Sequence, residues 1–233
     1  MKIIAKIRTD FKEKFGIPRQ SGIAADTVGR IVFEPEYRNP DALRGLEGFS
    51  HLWIIWQFSE VVREMAESGK AWSPTVRPPR LGGNKKMGVF ATRSPYRPNP
   101  IGLSSVRILG TEKTKSEGDV ILVAGADLLD GTPIYDVKPY LAYTDSHPDA
   151  VGGFADGVMD YKLLVDCPEE LLEKIPKEKQ KTLLSVLEGD PRPSYKDDEE
   201  REYGMLFASF EVFFKVKAGK LKVTKILNKV QPV

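Results

Sequence analysis

The chain has 233 residues, of which 41% are hydrophobic and 29% are charged, and its formal net charge is +2. These values are typical of a soluble globular protein with one large domain, or one large and one small domain. The single cysteine, Cys167, excludes an intrachain disulfide, and with only two histidines it argues against zinc, so no metal site is expected. No apolar run approaches the roughly 18 residues of a membrane span, and no export signal begins the chain, which favours a cytoplasmic protein without a membrane partner.

The first 160 residues are patterned as short strands separated by turns, and the 20 glycines and 17 prolines of the chain argue against a helical bundle. Strands are predicted at Lys2–Arg8, Gly29–Glu34, Ser50–Phe58, Gly88–Thr92, Leu103–Thr111, Val120–Ala126 and Ile134–Val137. A capped helical turn is predicted at Asn39–Arg44 and a short helix at Val61–Glu67.

The pattern changes near residue 160. Amphipathic, charged segments predict helices at Pro168–Lys174 and Lys177–Leu187. Tyr203–Lys217 and Lys220–Leu227 predict a hairpin that turns at residues 218 and 219. We therefore expect a mainly β protein with a β-rich domain over residues 1–160 and a small α+β domain over residues 161–233.

A long basic stretch interrupts the first domain. No aspartate or glutamate occurs from Ser68 to Thr111, whereas the stretch carries eight lysines and arginines. They are Lys70, Arg77, Arg80, Lys85, Lys86, Arg93, Arg97 and Arg107. Such a segment is typical of a surface that binds phosphate, carboxylate or nucleic acid, the alternative being a solvated basic face. Prolines and glycines hold the backbone around these forked donors, which favours recognition.

The common catalytic fingerprints are missing. Neither GxGxxG nor GxxxxGK[ST] occurs. Hydrolase chemistry is poorly supported, because His51 lies in an aromatic strand and His147 has no nucleophile elbow beside it. Loops held by prolines remain, and their backbone groups are able to hold a nucleoside. The residues alone therefore indicate a basic, loop-built nucleoside or RNA site.

Six motifs, taken in chain order, resemble one known family. They are Lys14–Gln20, Arg44–Trp53, Pro74–Asn84, Gly88–Gly102 (GVFATRSPYRPNPIG), Asp127–Tyr140 (DLLDGTPIYDVKPY) and Asp190–Tyr195 (DPRPSY). Together they resemble the TsaA-like (TrmO-type) family of tRNA adenine-N6 methyltransferases. The resemblance implies a single-sheeted β-barrel as the main domain, with a small α+β C-terminal domain. It also implies S-adenosylmethionine as cofactor, a homodimer, and methylation of N6 in tRNA that already carries N6-threonylcarbamoyladenosine beside the anticodon.

The family's cofactor contacts carry over onto positions in five segments of this sequence. They are Pro18, Arg19, Gln20, Ser59, Glu60, Arg93, Leu103, Asp130, Gly131, Thr132 and Pro133. The segment from Ser59 to Trp72 is longer than in the family, and its polar pair differs in type. S-adenosylmethionine needs polar acceptors, for which Gln20 and Asp130 are suited, and a cation for its carboxylate, for which Arg93 or Arg19 is suited.

The catalytic and tRNA-binding candidates follow from the chemistry of the substrate. The adenosine N6 keeps a proton, so an acceptor near it would help transfer, and Asp136 and Tyr140 are the candidates. If they have no catalytic role, Asp136 is a carboxylate at a strand edge and Tyr140 is a half-buried aromatic side chain. The predicted tRNA-binding residues are Lys85, Lys86, Arg97, Arg192 and Tyr195. For Arg192, the alternative is that its flanking prolines merely end a helix.

Two other function classes stay open. One is a non-catalytic RNA-binding module that uses the same basic stretch, and binding of S-adenosylmethionine would separate it from an enzyme. The other is a methyltransferase with a small-molecule substrate, against which the broad positive surface argues.

Overall fold

The computed structural model describes residues 1–69, 72–78, 85–158, 161–192 and 198–229. In these residues there are twelve strands: β1 (Ala5–Arg8), β2 (Val28–Phe33), β3 (His51–Gln57), β4 (Thr75–Val76), β5 (Met87–Gly88), β6 (Ile101–Thr114), β7 (Gly118–Ala124), β8 (Pro133–Pro139), β9 (Leu164–Asp166), β10 (Tyr203–Phe207), β11 (Phe210–Lys217) and β12 (Lys220–Asn228). The α-helices of the same residues are α1 (Ser59–Ser68), α2 (Ala142–Asp145), α3 (Glu169–Leu172) and α4 (Lys177–Glu188). The chain is mainly β with some helices, which confirms the expected fold class at that level.

Six strands form one antiparallel sheet that closes on itself. Their order is β1-β2-β7-β6-β3-β8, and β1 pairs with β8 as well as with β2. Strand β3 shows how the sequence builds this closed sheet, because its alternation buries Leu52, Ile54 and Trp56 and turns the residues between them outward. These side chains join buried aliphatic residues of the other strands in one core.

A second sheet has the order β10-β11-β12-β9 and packs with α4 around its own core. Phe207, Phe214 and Leu221 of the sheet and Leu183 and Leu187 of α4 are buried there. We call the described residues 161–192 and 198–229 the C-terminal unit.

The connection from β1 to β2, residues 9–27, joins the core of the C-terminal unit. Phe11 and Ala24 are buried among the side chains of the C-terminal unit. The Phe15 ring stacks on the ring of Phe214, with centroids 6.4 Å apart. The Thr182 hydroxyl of α4 donates a hydrogen bond to the carbonyl oxygen of Asp26 at 3.1 Å. The first connection of the closed sheet is therefore packed against the C-terminal unit.

Two sequence expectations about strands were wrong. The strand expected at Gly88–Thr92 ends at Gly88, because residues 89–91 form a 3-10 turn. The long strand expected at Tyr203–Lys217 is interrupted at Ala208, whose backbone is left-handed (φ 53°) and whose N–H donates to the carbonyl oxygen of Asp10. The three-residue strand β9 was not expected. The hairpin that turns at residues 218 and 219 is confirmed.

Within the described residues, no helix is long and apolar enough to cross a membrane. The same part of the chain contains no group of three or more His, Cys, Asp or Glu side chains placed to hold a metal ion.

Candidate functional site

One end of the closed sheet collects the segments that carry the predicted cofactor residues. Because all neighbouring strands are antiparallel, β1, β3 and β7 end there, and β2, β6 and β8 begin there. We call it the site end. The connections that meet there are residues 9–27, 58–100 and 125–132.

Gln20 and Arg93 meet at the site end. A guanidinium N–H of Arg93 donates a hydrogen bond to the side-chain oxygen of Gln20. The amide nitrogen of Gln20 in turn donates to the carbonyl oxygen of Arg19 at 2.6 Å. Arg93 is exposed and Gln20 is half-buried. Two residues predicted from different motifs are thus joined in space.

Asp127 lies beside this pair and was missed by the sequence analysis, although it begins the Asp127–Tyr140 motif. Its carboxylate accepts a hydrogen bond of 2.6 Å from the Ser104 hydroxyl, which itself accepts one of 3.0 Å from the Trp56 indole N–H. Burial raises the pKa of Asp127, although the Ser104 hydroxyl, the N–H groups of Asp127 and Ser21, and the charge of Arg93 lower it. We call Gln20, Arg93 and Asp127 the site cluster.

The predicted turn at residues 130–133 follows on the same connection. Asp130 accepts hydrogen bonds from the Thr9 backbone N–H at 3.0 Å and the Lys12 ammonium at 2.9 Å, so its carboxylate fixes the turn to the end of β1. Gly131 has a left-handed backbone (φ 77°), which favours glycine there, and Thr132 is buried. The turn therefore has backbone groups, rather than side chains, available to a bound ligand.

The other predicted cofactor residues border the site end. Ser59 and Glu60 begin α1, and Glu60 accepts a hydrogen bond of 2.6 Å from Arg63. Leu103 is 57% exposed on the outer face of β6, next to Ser104, whose side chain points inward. Pro18 lines a cleft between the first connection and the segment after α4.

Arg19 points away from the site cluster. Its guanidinium donates to the backbone carbonyl oxygens of Asp190 and Arg192 at 3.3 and 3.2 Å. These contacts leave Arg93 as the better placed of the two arginines to meet a cofactor carboxylate.

The catalytic candidates are not brought to the site cluster within one chain. Asp136 lies midway along β8, where it forms an ion pair of 3.0 Å with Lys138. Tyr140 follows β8 at the opposite end of the closed sheet, about 23 Å from Pro133 at the usual rise per residue. Its ring packs on Trp53, with centroids 5.5 Å apart. The roles of Asp136 and Tyr140 stay predictions that this geometry does not support.

The predicted tRNA-binding residues fall into two places. Lys85 and Lys86 are exposed and Arg97 is half-buried, all within the 58–100 connection at the site end. Lys85 and Lys86 form no ion pair within the described residues. Arg192 lies in the C-terminal unit, where it pairs with Asp190. Tyr195 lies outside the described residues, as do Lys70 and Arg80 of the basic stretch.

The donor set of the site cluster fits S-adenosylmethionine. The amino-acid end of this molecule carries a carboxylate and an ammonium group beside a sulfonium, and the cluster offers one guanidinium and one carboxylate. Its nucleoside end needs hydrogen-bonding partners, which the Gln20 amide and the backbone of residues 130–133 offer. Arg93, Gln20 and Asp127 are therefore the residues that would hold the cofactor's charged and polar groups.

Comparisons with known proteins identify the family of the chain. A family model described as the tRNA-methyltransferase O N-terminal domain matches residues 6–146, and the TrmO C-terminal domain model matches residues 161–229. The tRNA (adenine(37)-N6)-methyltransferase of Escherichia coli (strain K12) is 43% identical over 229 residues, which are 94% of this chain and 94% of that protein.

A Pseudomonas aeruginosa protein, RcsF, is 38% identical over 217 residues, which are 90% of this chain and 89% of that protein. Its name describes an S-adenosylmethionine-dependent methyltransferase, in agreement with the cofactor expected from the sequence. A crystal structure of TrmO from Pseudomonas aeruginosa superposes with a TM-score of 0.74 at 30% identity, covering 97% of each chain. The resemblance found in the sequence is confirmed, and the chain belongs to the TrmO family of tRNA methyltransferases.

Proposed function

We propose that the protein transfers a methyl group from S-adenosylmethionine to N6 of an adenine in tRNA, and that this adenine already carries the threonylcarbamoyl group. The enzyme class and the cofactor follow from membership of the family. The threonylcarbamoyladenosine beside the anticodon is the finer part of the proposal and comes from the resemblance of the sequence motifs. So do the homodimer and the location in the cytoplasm.

The observation that carries the proposal is the meeting of three connections of the closed sheet at one end. In this proposal the closed sheet is the single-sheeted β-barrel of the family, and residues 1–160 form the cofactor-binding domain. Residues 161–233 form the C-terminal domain. The site cluster lies where the connections meet, and the exposed Lys85 and Lys86 lie on one of the same connections.

The chain's own residues bind and orient the reactants. When bound, S-adenosylmethionine supplies a methyl carbon that is already activated for transfer. Arg93 would hold the cofactor carboxylate, and Gln20 keeps the Arg93 guanidinium in place. The Asp127 carboxylate interacts with the charge of Arg93 and is held in one orientation by the Ser104 hydroxyl, which the Trp56 indole N–H holds in turn. Alignment of the adenine N6 with the methyl carbon is the main contribution left to the protein.

The basic stretch would hold the tRNA. Lys85, Lys86 and Arg97 are placed to neutralise phosphates while the adenine reaches the site end. This charge has no evident use for a small metabolite, which is why a small-molecule substrate is less favoured.

Mass spectrometry of nucleosides tests the proposal. Purified protein and S-adenosylmethionine are incubated with two preparations of one tRNA, with and without the threonylcarbamoyl group. We expect a methylated threonylcarbamoyladenosine from the first preparation and no methylated adenosine from the second. Methylation of both would retain the enzyme class and refute the substrate, whereas methylation of neither, without cofactor binding, would indicate an RNA-binding module.

A further inference from the structure

Asp190 and Arg192 form a largely buried pair in the C-terminal unit. The carboxylate of Asp190 accepts two hydrogen bonds of 2.9 Å from the Arg192 guanidinium, and each side chain is only 12% exposed. The Tyr161 hydroxyl donates a third bond of 3.0 Å to the same carboxylate. Although burial raises it, these contacts hold the pKa of Asp190 below its ordinary value. Such a bidentate pair fixes the backbone of residues 190–192.

This fixed backbone meets the first connection of the closed sheet. The carbonyl oxygens of Asp190 and Arg192 both accept hydrogen bonds from one guanidinium nitrogen of Arg19. The orientation of these two carbonyls depends on the pair between the side chains of the same two residues. Arg19 is thereby anchored to a part of the fold more than 170 residues further along the chain.

The contacts continue from Arg19 to the site cluster. The carbonyl oxygen of Arg19 accepts a hydrogen bond from the side-chain amide nitrogen of Gln20. The side-chain oxygen of Gln20 accepts a hydrogen bond from the Arg93 guanidinium. We propose that Asp190 and Arg192 are positioning residues for the cofactor site, which act through Arg19 on Gln20 and Arg93. This inference rests on the proposed function, because it takes the site cluster as the cofactor site.

A contact between Arg192 and a tRNA phosphate is the competing interpretation. A side chain that is 12% exposed and held by a carboxylate has little surface left for a phosphate. The two interpretations predict different effects when the pair is broken. Loss of a positioning residue weakens binding of the cofactor, whereas loss of a phosphate contact weakens binding of the tRNA.

The test uses the full chain and four variants: Asp190→Asn, Arg19→Ala, the two combined, and Asp166→Asn as control. Asp166 lies on strand β9 of the same unit, where it forms an exposed ion pair with Lys220 at 2.9 Å. Calorimetry measures the dissociation constant for S-adenosylmethionine alone, and steady-state kinetics measure KM for the cofactor and for tRNA separately.

We expect Asp190→Asn to weaken cofactor binding about tenfold, the size of one charge-assisted hydrogen bond, and to raise KM for the cofactor equally. KM for tRNA and kcat at saturating cofactor should stay unchanged. In the Arg19→Ala background, Asp190→Asn should not weaken cofactor binding further, because the contacts through which Asp190 acts on the site are already lost. Asp166→Asn should bind the cofactor like the wild type.

Three results would overturn the inference: unchanged cofactor binding, a rise in KM for tRNA alone, or full additivity with Arg19→Ala. If Asp190→Asn unfolds because Arg192 is left unpaired, the double variant Asp190→Asn/Arg192→Gln removes both charges and is measured in its place. Failure of the wild type to bind S-adenosylmethionine would instead refute the proposed function.

Discussion

Arg93 donates a hydrogen bond to the side-chain oxygen of Gln20, a residue that precedes it by 73 positions. The bond joins two connections that leave the same end of the closed sheet. It orients an exposed guanidinium with a neutral partner, so the positive charge of Arg93 is not neutralised by this contact. A cation held in this way is suited to bind an anionic group from solution.

Arg93→Ala should weaken binding of S-adenosylmethionine far more than Lys86→Ala does. Loss of a charge-assisted bond costs about 1.5–3 kcal/mol, or roughly 10- to 150-fold in the dissociation constant. Lys86 is exposed and lies outside the site cluster, so its removal should leave the constant unchanged. Calorimetry with the cofactor alone measures both. Equal losses would mean that Arg93 contributes only general positive charge.

The local pattern of the sequence was sufficient for the strands of the closed sheet. In β3, a run of apolar and aromatic residues was enough to predict the strand, but not its buried face, because Trp53 and Ile55 on the other face are apolar too. The interruption at Ala208 was not predictable, because its left-handed backbone is compensated by a hydrogen bond to the distant Asp10. A competing tertiary contact of this kind leaves no local signature.

The candidate site, like the fold, was predictable from the sequence only in part. Motif resemblance selected Gln20 and Arg93, which do meet. It also suggested Arg19 for the cofactor carboxylate, whereas the structure places the Arg19 guanidinium on backbone carbonyls of the C-terminal unit. Asp127 was passed over because a single aspartate in an apolar segment does not reveal its partners, Ser104 and Arg93.

Asp127→Asn should change how stability depends on pH. Burial raises the pKa of Asp127 in the folded state, so between its ordinary value near 3.9 and the raised value the folded protein binds more protons than the unfolded one. The contribution of Asp127 to stability therefore increases as the pH falls through this window.

Urea unfolding of the wild type and Asp127→Asn, measured from pH 7 towards pH 4 without cofactor, gives the comparison. The wild type should gain stability relative to the variant as the pH falls, because asparagine does not titrate. A difference between the two proteins that is constant across this range would show that the Asp127 carboxylate has an ordinary pKa.

Gly102→Ala should destabilise the protein by about 1–3 kcal/mol, the usual cost of overpacking a core. A Cβ atom at Gly102 would lie 2.1 Å from the Trp56 ring, which is buried and whose N–H is bonded to Ser104. The indole would have to move, and the support of Asp127 would move with it. Cofactor affinity should therefore fall together with stability.

Gly48→Ala is the matched control for this change. A Cβ atom at Gly48 has no heavy atom within 4 Å, so the same substitution should leave the urea midpoint and cofactor affinity close to those of the wild type. If Gly102→Ala were as well tolerated as Gly48→Ala, the close approach between Gly102 and Trp56 would not be a constraint on the fold.

The double variant Lys85→Ala/Lys86→Ala should weaken tRNA binding and flatten its salt dependence. Both lysines are exposed, on the connection of residues 58–100. Each phosphate contact that is lost should lower the slope of log affinity against log salt by roughly 0.7–0.9, so the pair should lower it by up to about 1.4–1.8. Cofactor affinity should not change, because neither lysine belongs to the site cluster.

Lys113→Ala/Lys115→Ala removes the same charge from exposed residues at the opposite end of the closed sheet, where β6 turns into β7. Filter binding over a series of salt concentrations separates local contacts from net charge: a local contact requires a flatter slope for the Lys85/Lys86 variant alone, and equal slopes for the two variants would refute it.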